Sequence, residues 1–169
     1  MCDTLTIRPA APSDADALSR LLSRSYRALL AADYAPALLT EALPYIGQAR
    51  PALLGCGTYF LTQDSDGRLL AAGGWTDTSP HGRAARTGEA HIRHVAVDPD
   101  AVRQGHGQRL LGHILAHARH AGVTRVHCLS TLTAAGFYRA QGFETLAKVE
   151  TRLVPGLYFP VVQMQRSLA

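Results

Sequence analysis

Hydrophobic positions switch between a period of two and a period near four along this chain, and the switches mark its elements. Thr4 to Arg8 alternates as a first strand, and Pro9 to Pro12 turns the chain. Ser13 is placed to cap a helix, with Asp16 favouring its positive end, and Leu18, Leu21, Leu22, Leu29 and Leu30 recur at helical spacing. Pro36 opens a second helix that Pro44 is expected to end. Thr58 to Gln63 and Leu69 to Trp75 read as strands joined by the turn Asp64-Ser65-Asp66-Gly67. Thr76 to Gly88, with Pro80, Gly82 and two arginines, reads as a loop. The second half is more regular. A strand over Glu89 to Val97 closes at Asp98-Pro99, and a helix over Gly105 to Ala121 turns Leu110, Leu111, Ile114, Leu115 and Ala118 inward before Gly122. A strand over Val123 to Ser130, a helix over Thr133 to Gln141, and strands over Thr145 to Leu153 and Val161 to Arg166 follow. Strand, helix, strand and helix in succession from Glu89 to Gly142 predict a parallel strand pair within a mostly antiparallel sheet, an α/β (α+β) architecture.

Composition narrows this picture without redirecting it. The 169 residues suit a single domain spanning 1–169, and 47% hydrophobic against 18% charged residues is the balance of an ordinary packed protein. Runs such as Leu69 to Gly73 are far shorter than the ~18 apolar residues of a membrane helix. Met1-Cys2-Asp3-Thr4-Leu5-Thr6 has neither the basic start nor the apolar centre of a secretory signal. Cys2, Cys56 and Cys128 are odd in number and far apart, which argues against a disulfide framework and for a cytoplasmic setting. The net charge of +4 favours an anionic partner. With the arginines scattered and Lys148 the one lysine, a polyphosphorylated small molecule fits better than nucleic acid or a membrane surface.

Arg103-Gln104-Gly105-His106-Gly107 lies between a strand and an apolar-periodic helix. Paired glycines let the backbone approach a ligand, and amides at a helix start favour a pyrophosphate, although the same stretch serves equally as a tight turn. It is neither a Walker loop nor a dinucleotide fingerprint. Ala134-Ala135-Gly136-Phe137-Tyr138-Arg139-Ala140-Gln141-Gly142-Phe143 follows the next strand, and Val95-Ala96-Val97-Asp98-Pro99 precedes the glycines. In this order and spacing, over Glu89 to Phe143, the three segments resemble the GCN5-related N-acetyltransferase family. The first half resembles it only in the order of its elements.

The resemblance implies an acyl-CoA N-acyltransferase fold, with helices on both faces of the sheet and two parallel strands that splay to admit the pantetheine of acetyl-CoA. It places Val95, Ala96 and Val97 along the pantetheine, with the Val95 amide toward the thioester oxygen. It places Arg103, Gln104, Gly105, His106, Gly107 and Gln108 around the pyrophosphate. Val102 stands where the family often has Gln or Arg, and Thr131 where many members have an Asn that bonds pantetheine. Tyr138 matches the tyrosine that protonates the leaving thiolate, and His91 the position where the general base often sits, with Glu89 as the alternative base.

Glu89, His91 and Arg93 alternate and so share one face of their strand, with Arg93 lowering and Glu89 raising the proton affinity of His91. Trp75, Tyr26, Tyr34 and Tyr45 are candidate acceptor-site walls. His113, His117 and His120 form a helical stripe that reads as a solvated face, and no metal is expected. The expected activity is transfer of acetyl from acetyl-CoA to an amine of a small molecule or of an exposed protein or peptide, by a monomer or homodimer. A non-catalytic acyl-CoA-binding module and, more remotely, a nucleic-acid-binding protein are the alternatives.

Overall fold

A computed structural model describes residues 4–169. Met1 to Asp3, and with them Cys2, lie outside the described residues. Seven strands form one sheet in the order β1-β2-β3-β4-β5-β7-β6, with β1 Thr6–Pro9, β2 Tyr59–Gln63, β3 Leu69–Thr76, β4 Glu89–Val97, β5 Arg125–Thr131, β6 Glu144–Val154 and β7 Leu157–Ser167. Every pairing is antiparallel except β4 with β5. The helices are α1 Ala15–Leu29, α2 Pro36–Ile46, α3 Pro51–Leu54, α4 His106–His120 and α5 Ala135–Ala140.

Alternation along the strands fills two cores, one on each face of the sheet. Phe60, Ala71, Ala90 and Ile92 pack with Leu110, Leu111 and Ile114 of α4. Their neighbours Leu61 and Ala72, joined by Ala96 further along β4, pack with Leu18, Leu21 and Leu22 of α1 and Leu39 of α2. The mixed sheet, its parallel pair and the helices on both faces are as the sequence predicts.

Some local signals resolve differently. Ser13 caps nothing: a short 3-10 turn over Pro12–Asp14 leads into α1, and the Asp14 carboxylate accepts the Ala11 amide at 2.7 Å while gripping Arg8 at 2.8 Å. Asp14 wins this role because its charge serves the amide and the guanidinium together. Pro44 does not end α2, which continues to Ile46, where Gly47 donates its amide to Leu43. The last turn forms although Pro44 has no amide to give the Thr40 carbonyl. The short α3 carries too few residues for periodicity to reveal it.

Two adjacent glycines in β3 let the sheet close. A Cβ at Gly74 would lie 2.3 Å from the Thr58 carbonyl oxygen and 2.5 Å from the Tyr59 Cα, and one at Gly73 would lie 2.8 Å from Val95 Cγ2. The obstacle at Gly74 is backbone, which cannot swing aside. Gly74→Ala is therefore expected to cost about 1–3 kcal/mol of stability, read as a lowered midpoint in chemical or thermal unfolding.

Candidate active site

Parallel pairing between β4 and β5 covers Glu89↔Arg125, Ala90↔Val126 and His91↔His127 and then stops, although β5 stays paired to β7 as far as Thr131↔Val161. Beyond His91 the two central strands part. The parting coincides with a β-bulge, where His94 and Val95 together oppose Gly73 and His94 takes a φ of 45°. Tyr59 fixes the bulge by donating its hydroxyl to the His94 carbonyl at 2.8 Å. On the β3 side Asp98 donates its amide to Leu70. Alternation along that ladder turns the N–H and C=O of Val97 toward the gap.

A cavity of about 640 Å³ occupies one side of the gap. Val95, Ala96, Val97, Arg103, Gly105, His106, Gly107, Gln108 and Thr131 line it, together with Phe137 and Tyr138. Gln104 is not in this lining; its Oε1 sits 3.3 Å from His106 Nε2. Gly105 precedes α4 with a φ of 82°, and Arg103 takes a φ of 61°. This reversal aims the free amides of the first turn of α4 into the cavity. A Cβ at Gly107 would meet Val97 Cγ2 at 3.3 Å and the Phe137 ring at 3.5 Å.

The loop before α4 is anchored by Asp98, whose side chain is only 2% exposed. Its carboxylate accepts the Asp100 amide at 2.8 Å, Arg24 of α1 at 2.9 Å and Arg68 at 3.1 Å. Burial alone would push this carboxyl up, but the amide and the two guanidinium groups outweigh it and hold it below its ordinary value of 3.8.

A second cavity of about 490 Å³ lies on the other side of the gap, and Tyr26, Val95, Thr131, Ala134 and Tyr138 line both. The two spaces therefore adjoin where β4 and β5 separate. Tyr138 is buried, its ring T-shaped against Phe137 and Phe143, and its phenol neighbours the buried thiol of Cys128. Burial, then Cys128, holds the phenol protonated far above its ordinary range, and burial pushes the thiol up to about 12. The Thr131 hydroxyl accepts the Ala134 amide at 3.1 Å, which turns the chain into α5.

Of the expected acceptor-site walls, Tyr26 and Tyr45 line the second cavity. Tyr34 and Trp75 do not, because each is committed elsewhere. Tyr34 stacks on Phe159 and bridges the Leu132 amide to the Pro160 carbonyl, and the Trp75 indole donates to His117 Nδ1 at 3.1 Å. His113 and His117 also pack edge-on against Phe60, so their part of the histidine stripe covers the sheet. Among the described residues no group of three His, Cys, Asp or Glu side chains is arranged to hold a metal ion.

Glu89 and His91 sit further back along β4 and line neither cavity. Glu89 Oε2 lies 3.1 Å from His127 Nε2, and the His127 ring is 5.3 Å from that of His91. Desolvation first, then His127 and Arg93, lower the proton affinity of His91 against a smaller raising effect of Glu89, so the imidazole is neutral at and somewhat below its ordinary value of 6.5. His94 does line the second cavity, where desolvation and the nearby Arg50 and Arg93 push it down to about 3. Arg50, His81 and Arg152 complete the ionisable lining together with Arg93. None of these three stands out in sequence, since Arg50 and His81 lie in irregular segments and Arg152 is one of several polar residues near the end of a strand.

Residues 16–143 match the family model described as the acetyltransferase (GNAT) family. The chain belongs to this family. Among curated relatives, it is 43% identical over 56 residues to an amino-acid acetyltransferase of Neisseria meningitidis, a match covering 33% of this chain and 13% of that protein. It is 36% identical over 94 residues to glucosamine 6-phosphate N-acetyltransferase 1 of Oryza sativa subsp. japonica, covering 55% of this chain and 53% of that one. The matches thus take in about half or less of each relative's length. The solved structure of PaiA N-acetyltransferase from Thermoplasma acidophilum in complex with coenzyme A superposes with a TM-score of 0.71 at 14% identity, covering 97% of this chain and 99% of that one. The shared GNAT fold persists at this low identity. No helix among the described residues is long and apolar enough to cross a membrane.

The Asp98 anchor generates a prediction. Asp98→Ala strips three hydrogen bonds from the loop before α4 and should cost about 2 kcal/mol, the scale of charge-assisted bonds. Because the folded carboxyl is held below 3.8, its contribution is complete above that value and drains away as pH falls through the lower, folded one. Acid unfolding should show the wild-type advantage over Asp98→Ala shrinking in that window, with the gap undiminished near neutrality.

Proposed function

We propose that this chain transfers an acetyl group from acetyl-CoA to an amine, with the larger cavity taking the cofactor and the smaller one the acceptor. The observation that carries this is the meeting of the two cavities at Val95 and Tyr138, where β4 and β5 part. The coenzyme A in the Thermoplasma complex and the acetyltransferase names of both curated relatives support the same reading. The fit to the cofactor rests on this chain's own features: the open backbone of Val97, the left-handed Gly105 and the amides of α4 opposite a polyanion. Acetyl-CoA supplies an activated thioester. Val95 to Val97 hold its arm, Arg103 and Gly105 to Gln108 hold the pyrophosphate chiefly through backbone amides, and the Thr131 side chain borders the pantetheine.

In the reaction, the amine nitrogen attacks the thioester carbonyl carbon, its proton leaves, and the C–S bond breaks. The Val95 amide faces the carbonyl oxygen and stabilises the charge that develops there. Tyr138, kept protonated by burial, donates its proton to the departing sulfur. An acceptor ammonium with a pKa near ~10 must first lose a proton, and a neutral imidazole can take it. His91 takes that proton through water. His94, pushed down to about 3, binds a proton too weakly to serve. Glu89 acts on His91 by way of His127.

Cofactor binding is testable without knowing the acceptor. Saturation with acetyl-CoA at 100 times its dissociation constant should stabilise the protein by about 2.7 kcal/mol, visible in thermal unfolding. Gly107→Val should abolish that shift while the unliganded protein stays folded. An unchanged unfolding curve across a series of acyl-CoAs would count against the cofactor assignment and favour a different ligand.

Kinetics test the acid and the base. With chemistry rate-limiting, Tyr138→Phe should lower turnover about 100-fold or more with little change in acetyl-CoA affinity. The wild-type rate should fall on the acid side below His91's ordinary value of 6.5, and His91→Gln should lose that limb. Survival of the limb in His91→Gln and its loss in Glu89→Gln or His81→Gln would move the base to that residue.

A further inference from the structure

The smaller cavity has an unusual charge pattern. Three guanidinium groups from separate elements line it: Arg93 in β4, Arg50 before α3, and Arg152 in β6. No aspartate or glutamate is in the lining. Arg93 is only 9% exposed, yet among the described residues it forms no salt bridge, and its hydrogen bond runs to a neutral hydroxyl, Thr76 Oγ1, at 3.1 Å. Among the described residues the arginine salt bridges are those of Arg8, Arg24 and Arg68, all outside this cavity.

Burying a cation without a counter-ion is costly, and gathering like charges adds to the cost. Desolvation, followed by Arg50, lowers the proton affinity of Arg93, which places Arg50 within electrostatic reach. A fold tolerates such a site where a ligand supplies the missing negative charge. The planar donor fork of arginine matches the oxygens of a carboxylate or phosphate. A second positive charge is what this cavity accepts worst. A diamine, or a lysine within a basic peptide, would bring one.

We propose that the acceptor is a small amine bearing an oxyanion, carboxylate or phosphate, which Arg93 binds at the cavity wall and Arg50 and Arg152 bind at its mouth. This rests on the assignment of the smaller cavity to the acceptor. The same arginines disfavour the acceptor's ammonium form, so holding the anion also helps release the proton that attack requires.

The test compares matched acceptors: α-amino acids against their amides, hexosamine phosphates against the unphosphorylated sugars, and a diamine. Thiol release from acetyl-CoA measures turnover, and calorimetry on the coenzyme A-saturated protein measures acceptor binding independently. In one pair the anionic member should bind at least tenfold more tightly and show a correspondingly higher kcat/KM; which pair responds identifies carboxylate or phosphate. The preference should collapse in Arg93→Met, and in Arg50→Gln and Arg152→Gln, whose exposed positions preserve the fold if Arg93→Met does not.

Neutral members equal to the anionic ones in both pairs, preference for the diamine, or no binding by any member would overturn the proposal. Thiol release without an anion preference would leave acetyl transfer standing and remove this inference alone. Anion binding without thiol release from any amine would overturn acetyl transfer and the acceptor proposal with it, leaving the arginines as an anion site alone.

Discussion

A central sheet can leave backbone groups unpaired only where water or a ligand reaches them, and this sheet does so between its two parallel strands. After three paired positions β4 turns away from β5, and the surrounding structure holds that separation open. The bulge at His94 and Val95 bends β4, the Tyr59 hydroxyl pins it, and Gly73 leaves room for the Val95 side chain against Ile114. The second strand cannot follow β4, because β7 holds it through its last residue. Both cavities, the approach of α4 to the gap and the shared position of Tyr138 follow from that one divergence.

Charge is divided across the gap in two different ways. On the side of the larger cavity, the positive character comes largely from backbone, through the first turn of α4 and the left-handed residues ahead of it. Asp98 supports this arrangement from beneath by consuming Arg24 and Arg68, so those cations act as struts and are unavailable to a ligand. On the side of the smaller cavity the positive character comes from side chains without carboxylate partners. Backbone donors recognise a shape common to many ligands. Guanidinium forks at fixed positions match the oxygens of a carboxylate or phosphate.

Much of the second half was legible because its signals are periodic and mutually reinforcing. Glu89 to Val97 reads as a strand with the observed limits, α4 starts one residue after the predicted position, and the glycine pair falls at its N-terminus. The bulge was not legible as such: Arg93 and His94 break the alternation with two polar residues in succession, but a break alone does not distinguish a bulge from a strand with a second polar face. It depends on Gly73 in another strand and on a hydroxyl from a third. The common face of Glu89, His91 and Arg93 could be read from alternation because all three precede the bulge. The engagement of the Glu89 carboxylate by His127, beside His91, could not, because it arises from the register between β4 and β5. The second cavity was hidden for the same reason. Arg50, Arg93 and Arg152 are far apart in sequence and meet only because the β6–β7 hairpin and the segment before α3 converge on the open end of β4.

That convergence also explains why the two sides of the gap differ in how firmly sequence marks them. Apart from Ser25, Tyr26, Leu29 and Leu30 at the end of α1, the larger cavity is lined from one continuous stretch, β4 through α5, so most of its spacing is local and a family model can match it. The smaller cavity borrows Tyr45 and Arg50 from the first half and Arg152 from the last hairpin, with β4 as the common wall. Residues at its mouth are exposed and bear little of the core's packing, so exchanging them would alter ligand preference at small cost to the sheet. Arg93 is the exception. It is tied to the sheet by position and to the cavity by charge, so its substitution should disturb acceptor binding more than that of either exposed arginine.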